Sequence, residues 1–192
     1  WKDVGTLGSY WEANMELIDL IPDEDEIWLD WEDRGNQAVL ELLKGSAIDH
    51  FLVGDFEMAA GLFEMELDMD PEDHLEATKP LAYCYVALGE YESFDEIVDD
   101  ISDKYPEKEI LKLWSEFRRT GRLPSGEMIH FRKSFPVFYA EFTSDKHEIT
   151  PDYLADIESE RPSREAQARE LWLQTEHLWT QFPGFVEALK KQ

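Results

Sequence analysis

The sequence is poor in cysteine, in basic residues and in long apolar runs, and each shortage excludes a class of protein. Cys84 is the only cysteine among the 192 residues, so the chain can form neither an intramolecular disulfide nor a thiolate metal cluster. No apolar run approaches the roughly 18–20 residues that span a bilayer, and we expect no membrane association. These features favour a cytoplasmic protein in a reducing compartment.

The shortage of basic residues makes the chain strongly acidic. It contains 18 Lys and Arg against 44 Asp and Glu, a formal net charge of -26. Residues 1–104 hold 29 acidic and five basic residues, whereas the remainder is nearly balanced. Nucleic acids and anionic membranes cannot release counterions to such a surface, so both are excluded as partners. A basic protein or peptide is the partner that the charge favours.

Aromatic residues, in contrast, are plentiful. Hydrophobic residues make up 43% of the chain and aromatic residues 13%, with seven tryptophans. This composition predicts a folded core in spite of the charge. Helical spacing of apolar residues dominates the chain. Beyond the N-terminal residues 1–35, the segment PVFYAEF, residues 136–142, is the only one that we predict as a strand.

A repeat of 35 residues runs through the middle of the chain. GDFEMAAGLFEMELDMDPED begins at Gly54, and GEYESFDEIVDDISDKYPEK begins at Gly89. Three pairs share the separation of 35: Gly54 and Gly89, Phe56 and Tyr91, Pro71 and Pro106. Glycine can end a helix in the left-handed conformation, an aromatic residue can start the next helix, and proline can stop it. Each unit is therefore predicted to be a helix-turn-helix.

The repeated units resemble the tetratricopeptide repeat (TPR) family. The first unit carries Ala47, Gly54, Phe56, Ala59, Phe63 and Pro71, and the second carries Ala82, Tyr85, Gly89, Tyr91 and Pro106. Glu66 and Phe94 depart from the family pattern, which prefers Ala at both positions. The resemblance implies an all-α, TPR-like superhelix of stacked helix pairs, with altered packing angles at these two positions.

This resemblance leads to a three-part domain organisation. Residues 1–35 form an N-terminal strand-helix remnant followed by an acidic helix. Residues 36–142 form the repeats, with units at 40–73 and 75–108 and a degenerate unit at 109–142. Residues 143–192 form a C-terminal helical cap, in which Thr150 and Ser163 are the expected helix N-caps.

In TPR proteins the first helices of the units line a concave groove, and the resemblance implies a ligand groove here. The predicted groove residues are Lys44, Ile48, Phe51, Leu52, Lys79, Tyr83 and Val86. The two lysines stand at equivalent positions and could hold a peptide carboxylate, although Ile48 and Tyr83 replace the asparagines that a carboxylate clamp uses. An apolar peptide, or the chain's own C-terminal helix, could fill the groove instead.

The first residues of the chain carry a different resemblance. WKDVGTLGSYWEANMELI, residues 1–18, contains Trp1, Asp3, Gly5, Thr6, Trp11, Glu12, Ala13 and Asn14 in the order found late in the sugar nucleotidyltransferase domain of glucose-1-phosphate adenylyltransferases. The resemblance covers about residues 1–20. It implies that Asp3 is a Mg²⁺ ligand if a nucleotidyltransferase domain precedes it. The segment suggests a fragment of a longer protein or a gene fusion.

The main functional prediction is a TPR-like adaptor or scaffold that binds a peptide or basic protein in its groove. We expect no catalysis, no cofactor and no metal in the chain itself, and a homodimer joined through opposite charges is a further expectation. The alternative is that the chain is the C-terminal portion of, or a fusion with, a glucose-1-phosphate adenylyltransferase-like sugar nucleotidyltransferase, inactive as this fragment.

Overall fold

The computed structural model describes residues 28–191, and this part of the chain is all-α, with no strand. The helices, in chain order, are α1 (Arg34–Val53), α2 (Phe56–Met69), α3 (Thr78–Leu88), α4 (Tyr91–Ile97), α5 (Pro106–Thr120), α6 (Ser125–Ser134), α7 (Pro136–Phe142), α8 (Pro151–Ile157), α9 (Arg164–Gln181) and α10 (Pro183–Lys190). The predicted strand-helix remnant and the first part of the predicted acidic helix lie outside the described residues. Residues 28–33 contain no helix.

Two glycines end the first helix of each helix pair in the same way. Gly54 follows α1 with φ 82 and ψ 16, and Gly89 follows α3 with φ 82 and ψ 18. A residue with a Cβ is strained in this left-handed region. Phe56 and Tyr91 then begin α2 and α4 two residues later, as the sequence predicts. α4, however, ends at Ile97, earlier than the repeat pattern predicts.

The connection between α2 and α3 is held by an aspartate in a strained conformation. Asp73 has φ 53, and Glu76 has φ 58. The Asp73 carboxylate accepts hydrogen bonds from the backbone N–H groups of Ala77 at 2.5 Å and Thr78 at 3.3 Å. These bonds satisfy amide groups that the start of α3 leaves without helical partners. The loop therefore fixes the orientation of α3 relative to α2.

The prediction of a strand at residues 136–142 is wrong, because this segment is helix α7. Its β-branched and aromatic residues favour a strand by local propensity. Pro136, however, stands in the first turn of a helix, where its missing N–H is harmless. Phe138 and Phe142 then lie on one face, with 4% and 0% of their surface exposed. Burial of this face outweighs the local strand propensity.

The C-terminal helices begin as the sequence predicts. The Thr150 hydroxyl accepts a hydrogen bond from the Tyr153 N–H, and Pro151 occupies the first turn of α8. The Ser163 hydroxyl accepts from the Ala166 N–H at the start of α9. Both are side-chain N-caps, which satisfy amide groups at the helix start.

Helix α9 completes the core. α1, α3 and α5 pack side by side, α9 contacts α1 and α7, and α10 contacts α5. The Trp179 ring of α9 lies 5.3 Å from Trp114 of α5 and 6.4 Å from Tyr83 of α3, measured between ring centroids. Trp179 also contacts Phe142 at 5.7 Å and Phe185 at 5.4 Å. One tryptophan thus joins α3, α5, α7, α9 and α10.

We expect Trp179→Ala to lower the free energy of unfolding by about 3–5 kcal/mol, because a large buried ring is removed from a core that cannot fully close. Urea denaturation followed by circular dichroism measures this change. Trp28→Ala is the control, since 68% of Trp28 is exposed and its removal should change stability by less than about 0.5 kcal/mol. Equal changes in the free energy of unfolding for the two substitutions would contradict the inference that Trp179 stabilises the core.

Candidate functional site

Six of the seven predicted groove residues line one cleft. It has a volume of about 420 Å³, and the six are Lys44, Ile48, Phe51, Leu52, Lys79 and Tyr83. Leu171, Gln174 and Thr175 of α9 form the opposite wall, and Glu76, Pro80 and Glu107 complete the lining. We call this space, with these twelve lining residues, the Lys44 cleft. Val86, the seventh predicted residue, does not line it and has 0% of its surface exposed.

Helix α9 also packs onto two of these groove residues, Phe51 and Tyr83. The His177 ring stands perpendicular to Phe51 with 4.6 Å between the ring centroids, and the Trp179 ring packs against Tyr83. Phe51 and Tyr83 are only 5% and 3% exposed as a result. Of the occupants considered for the groove, the chain's own C-terminal helix is the one that the structure shows. The face that was predicted to hold an extended peptide is therefore occupied by this helix.

The two lysines of the cleft have different surroundings. Lys79 Nζ lies 2.9 Å from a Glu76 carboxylate oxygen and 3.6 Å from the centre of the Tyr105 ring. Its hydrogen bond holds the pKa of Glu76 below the usual value. Lys44 forms no ion pair with any residue in the range 28–191. The lysines are equivalent in sequence spacing, but Lys79 is already neutralised within the chain.

Two polar atoms in the wall of the cleft are buried without a hydrogen-bond partner among the described residues. They are the Tyr83 hydroxyl oxygen and Oε2 of Glu107. Burial raises the pKa of the Glu107 carboxyl, and Lys79 opposes this effect through space. An unpaired buried polar group costs about 1–3 kcal/mol. Both atoms are enclosed in the wall and present almost no surface to the open cleft.

Glu66 is a second buried carboxyl, and sequence reasoning treated it only as a departure from a repeat pattern. It lies on α2 with 1% of its surface exposed, and neither carboxylate oxygen has a hydrogen-bond partner within the described chain. Burial raises its pKa to about 7. Lys44 opposes the rise, while Asp73 and Asp70 add to it. The burial itself has a sequence signal, because Glu66 follows Leu62 and Phe63 at helical spacing on the core face of α2.

The raised pKa of Glu66 makes stability depend on pH. Above the ordinary carboxyl pKa of 4.5 the unfolded chain releases the proton, whereas the folded chain holds it until about pH 7. The Glu66 contribution therefore becomes less favourable as pH rises from 4.5 to 7 and is constant above that. Glu66→Gln should stabilise the fold at pH 8 by roughly 2–3 kcal/mol relative to the native chain. This advantage should vanish near pH 4.

Urea denaturation at pH 4, 6 and 8 measures this effect. Glu57→Gln on the same helix is the matched control, because Glu57 is exposed and its substitution should leave the pH profile unchanged. A constant difference between Glu66→Gln and the native chain across these pH values would contradict the prediction.

A polar cluster between α7 and α9 was not found from the sequence. Arg169 pairs with Glu141 through two hydrogen bonds, and the His147 Nδ1 lies 2.7 Å from the same carboxylate. The His147 ring stacks on Trp172 with a centroid distance of 3.8 Å. These residues have no informative sequence spacing, because the tertiary fold alone brings them together. Arg169 also donates a hydrogen bond to the Glu148 carbonyl, and Trp172 packs against Phe142 of α7, so the cluster links α9 to α7 and to the segment that follows it.

No group of three or more His, Cys, Asp and Glu side chains within residues 28–191 has the geometry to hold a metal ion. Asp3, the metal ligand implied by the N-terminal resemblance, lies outside the described residues. In the part of the chain that the structure describes, no helix combines the length and the apolar character needed to cross a bilayer.

Comparison with known proteins finds partial similarity to one kind of enzyme. The chain is 45% identical over 58 residues to the glucose-1-phosphate adenylyltransferase of Lachnospira eligens, covering 29% of this chain and 14% of that protein. The enzyme of the same name from Agrobacterium fabrum is 35% identical over 66 residues, or 25% of this chain and 16% of its own length. The enzyme of the same name from Mesorhizobium japonicum is 52% identical over 31 residues, which cover 16% of this chain and 7% of that protein.

The chain thus spans about one seventh of the length of the first of these relatives. No protein-family profile matches the chain, and no solved structure matches it. The similarity supports the resemblance to glucose-1-phosphate adenylyltransferases that residues 1–20 predict. The resemblance to the TPR family receives no support from these comparisons.

The prediction of a TPR-like adaptor that binds a partner in its groove is wrong. The relatives found are glucose-1-phosphate adenylyltransferases over part of the chain, and they favour the alternative prediction. The structure gives a physical reason for the error. The predicted groove was inferred from the first helices of the repeats alone, and α9 packs its His177 and Trp179 rings onto that face.

Proposed function

We propose that this chain is the C-terminal portion of, or a fusion with, a sugar nucleotidyltransferase that resembles glucose-1-phosphate adenylyltransferase. The observation that carries the proposal is the similarity of up to 45% identity over 58 residues to the Lachnospira eligens enzyme. The motif at Trp1, Asp3, Gly5 and Thr6 supports it from the sequence. The reaction proposed for the complete protein is the formation of ADP-glucose from ATP and glucose-1-phosphate.

In this proposal Asp3 would be one ligand of the Mg²⁺ that the complete protein uses. Mg²⁺ prefers hard oxygen ligands such as carboxylates, and it neutralises charge that develops on phosphates during transfer. Asp3 lies outside the described residues, so this role rests on the sequence motif alone. The 192-residue chain by itself is proposed to be inactive, because the motif supplies one ligand and no nucleotide-binding loop.

The helical body from α1 to α10 is proposed to be a non-catalytic part of the protein. Two features of the described residues support this. Its largest side chains, such as Trp114 and Trp179, pack against one another in the core. Its best-formed ion pairs, such as that of Arg169 with Glu141, join one helix to another. Both features serve stability of the helical body.

We also propose that α1–α2 and α3–α4 are structural repeats of the TPR kind, without the adaptor function. The support is the matching left-handed glycines, Gly54 and Gly89, each followed two residues later by an aromatic residue that starts a helix. Repeat units of this kind stack because one unit cannot bury its apolar face alone. The contact of α2 with α3 is the expected interface between such units.

A chimeric enzyme tests the nucleotidyltransferase proposal. Residues 1–20 of this chain replace the corresponding segment of the Lachnospira eligens enzyme, and ADP-glucose formation is measured with ATP, glucose-1-phosphate and Mg²⁺. The chimera should keep activity within about ten-fold of the parent. Asp3→Asn in the chimera should lower kcat/KM at least about 100-fold, because a metal ligand contributes several kcal/mol to transition-state stabilisation.

Asp19→Asn in the same chimera is the matched control, since Asp19 lies in the transplanted segment but outside the motif. It should leave kcat/KM close to that of the unsubstituted chimera. A folded chimera without activity, or one in which Asp3→Asn behaves like Asp19→Asn, would overturn the proposal. Turnover by the 192-residue chain alone would overturn the proposal that it is inactive as a fragment.

A further inference from the structure

We propose that residues 10–21 of this chain pack along the exposed side of α1 and form the first helix of the helical array. The surface that they would cover consists of Val39, Leu42, Ser46, Asp49 and Val53, and we call it the α1 stripe. Residues 10–21 lie outside the described residues, so their part in the proposal rests on their sequence alone. The proposal does not depend on the nucleotidyltransferase proposal.

The α1 stripe is a largely apolar surface that no helix among residues 28–191 covers. Its members follow one another at intervals of 3, 4, 3 and 4 residues, so they lie on one side of the helix. Val39, Leu42 and Val53 are 51%, 46% and 77% exposed. The exposed side of α2, in contrast, carries Glu57 and Glu64. A row of exposed apolar side chains with polar surroundings marks a contact surface.

The second repeat unit shows how the equivalent surface of α3 is covered. The repeat interval of 35 residues relates the middle of the α1 stripe to Ala77, Leu81 and Cys84. These three residues are 0%, 2% and 0% exposed. The helix that precedes them, α2, packs against α3, and the Tyr85 hydroxyl donates a hydrogen bond to Glu64 of α2 at 2.7 Å. A helix that precedes α1 would cover the α1 stripe in the same way.

Residues 10–21, YWEANMELIDLI, have the sequence pattern of a helix with one apolar side. Tyr10, Leu17 and Ile21 recur at helical spacing, and Trp11 and Ile18 lie beside them. The acidic residues of the segment fall on the opposite side at this spacing, and they are Glu12, Glu16 and Asp19. The first helix of an array needs such a polar outer face, because no neighbour lies beyond it.

The ends of this segment carry signals for a helix start and a helix stop. Ser9 precedes Glu12 by three residues, which is the spacing of a capping box. Pro22 follows the last apolar residue, and the residue before a proline disfavours the helical conformation. The sequence therefore limits the predicted helix to the residues whose apolar side matches the α1 stripe.

The connection to α1 sets the orientation of the proposed helix. The chain reaches α1 near Val39, where the Gln37 side chain donates a hydrogen bond to the Trp31 carbonyl at 2.7 Å. Residues 22–27 link the segment to this point, and they span at most about 20 Å. The C-terminal end of the segment can therefore lie near Val39. A helix of about 18 Å would then run antiparallel to α1 and reach toward Val53.

The net charge of the chain favours a segment of the same chain over a second copy. Each copy carries a net charge of -26, so two copies repel each other. A segment joined to α1 through a short linker is present at an effective concentration in the millimolar range. Its association with the α1 stripe adds no net charge to the molecule.

Labelling of an introduced thiol by N-ethylmaleimide tests the proposal on the full chain. Cys84 is buried and should not react. Leu42→Cys should react at least about 10-fold more slowly than Ile129→Cys, because the segment must leave the α1 stripe before the reagent can reach the thiol. Ile129 is the matched control, since it is 68% exposed and lies on α6, outside the α1 stripe. The rate for Leu42→Cys should not change when the protein is diluted.

A second substitution identifies the segment that gives the protection. Leu17→Asp in the Leu42→Cys chain should raise the labelling rate at least about 5-fold, because a charge on the apolar side of the segment opposes burial. Glu16→Gln, on the acidic side, is the matched control and should leave the rate unchanged. Circular dichroism establishes that each variant is folded.

A disulfide tests the orientation. Tyr10→Cys combined with Val53→Cys should form a disulfide within one chain under mild oxidation, whereas Tyr10→Cys combined with Val39→Cys should not. A disulfide requires Cα atoms within about 7 Å, and Val39 and Val53 are about 21 Å apart along the helix. Gel electrophoresis without reductant measures the fraction that is cross-linked.

Four outcomes would each overturn the proposal. They are equal labelling of Leu42→Cys and Ile129→Cys, protection that Leu17→Asp leaves intact, protection that is lost on dilution, and a disulfide that forms as readily with Val39→Cys as with Val53→Cys. Loss of protection on dilution would assign the α1 stripe to a contact between two copies of the chain.

Discussion

The packing of α9 against α1, α3 and α5 is the contact on which the rest of the helical body depends. Helices α1 to α5 bury apolar surface between neighbours along the chain, but one of their faces carries Phe51, Tyr83 and Trp114. α9 covers that face with His177 and Trp179. Burial of apolar surface is the dominant favourable contribution to the free energy of folding. Without α9 a large aromatic surface would contact water.

This same contact decides where a ligand could bind. α9 covers the aromatic part of the face but leaves an open cleft toward Lys44, because Leu171, Gln174 and Thr175 line its far wall. What remains open is a cleft of about 420 Å³, and α9 occupies the rest of the face that the repeat pattern predicts to be a peptide groove.

Local chemistry explains which parts of the fold could be predicted. The glycines Gly54 and Gly89 end helices because their conformation is set within a few residues, and the same holds for the caps at Thr150 and Ser163. The segment at residues 136–142 was predicted as a strand because local propensity was the only information available. Phe138 and Phe142 are buried in a helix that packs against α9, and the Phe142 ring contacts Trp172 of that helix.

The sequence by itself determined the all-α class, the helix boundaries that depend on glycine, proline and capping side chains, and the N-terminal similarity to glucose-1-phosphate adenylyltransferases. These features are encoded in short stretches, so neighbouring residues suffice to reveal them. Only the tertiary structure decided that α9 covers the predicted groove, that Lys79 is paired, and that Glu66 is buried without a hydrogen-bond partner among residues 28–191. Such contacts join residues far apart in the chain, and their energies depend on burial that no local pattern specifies.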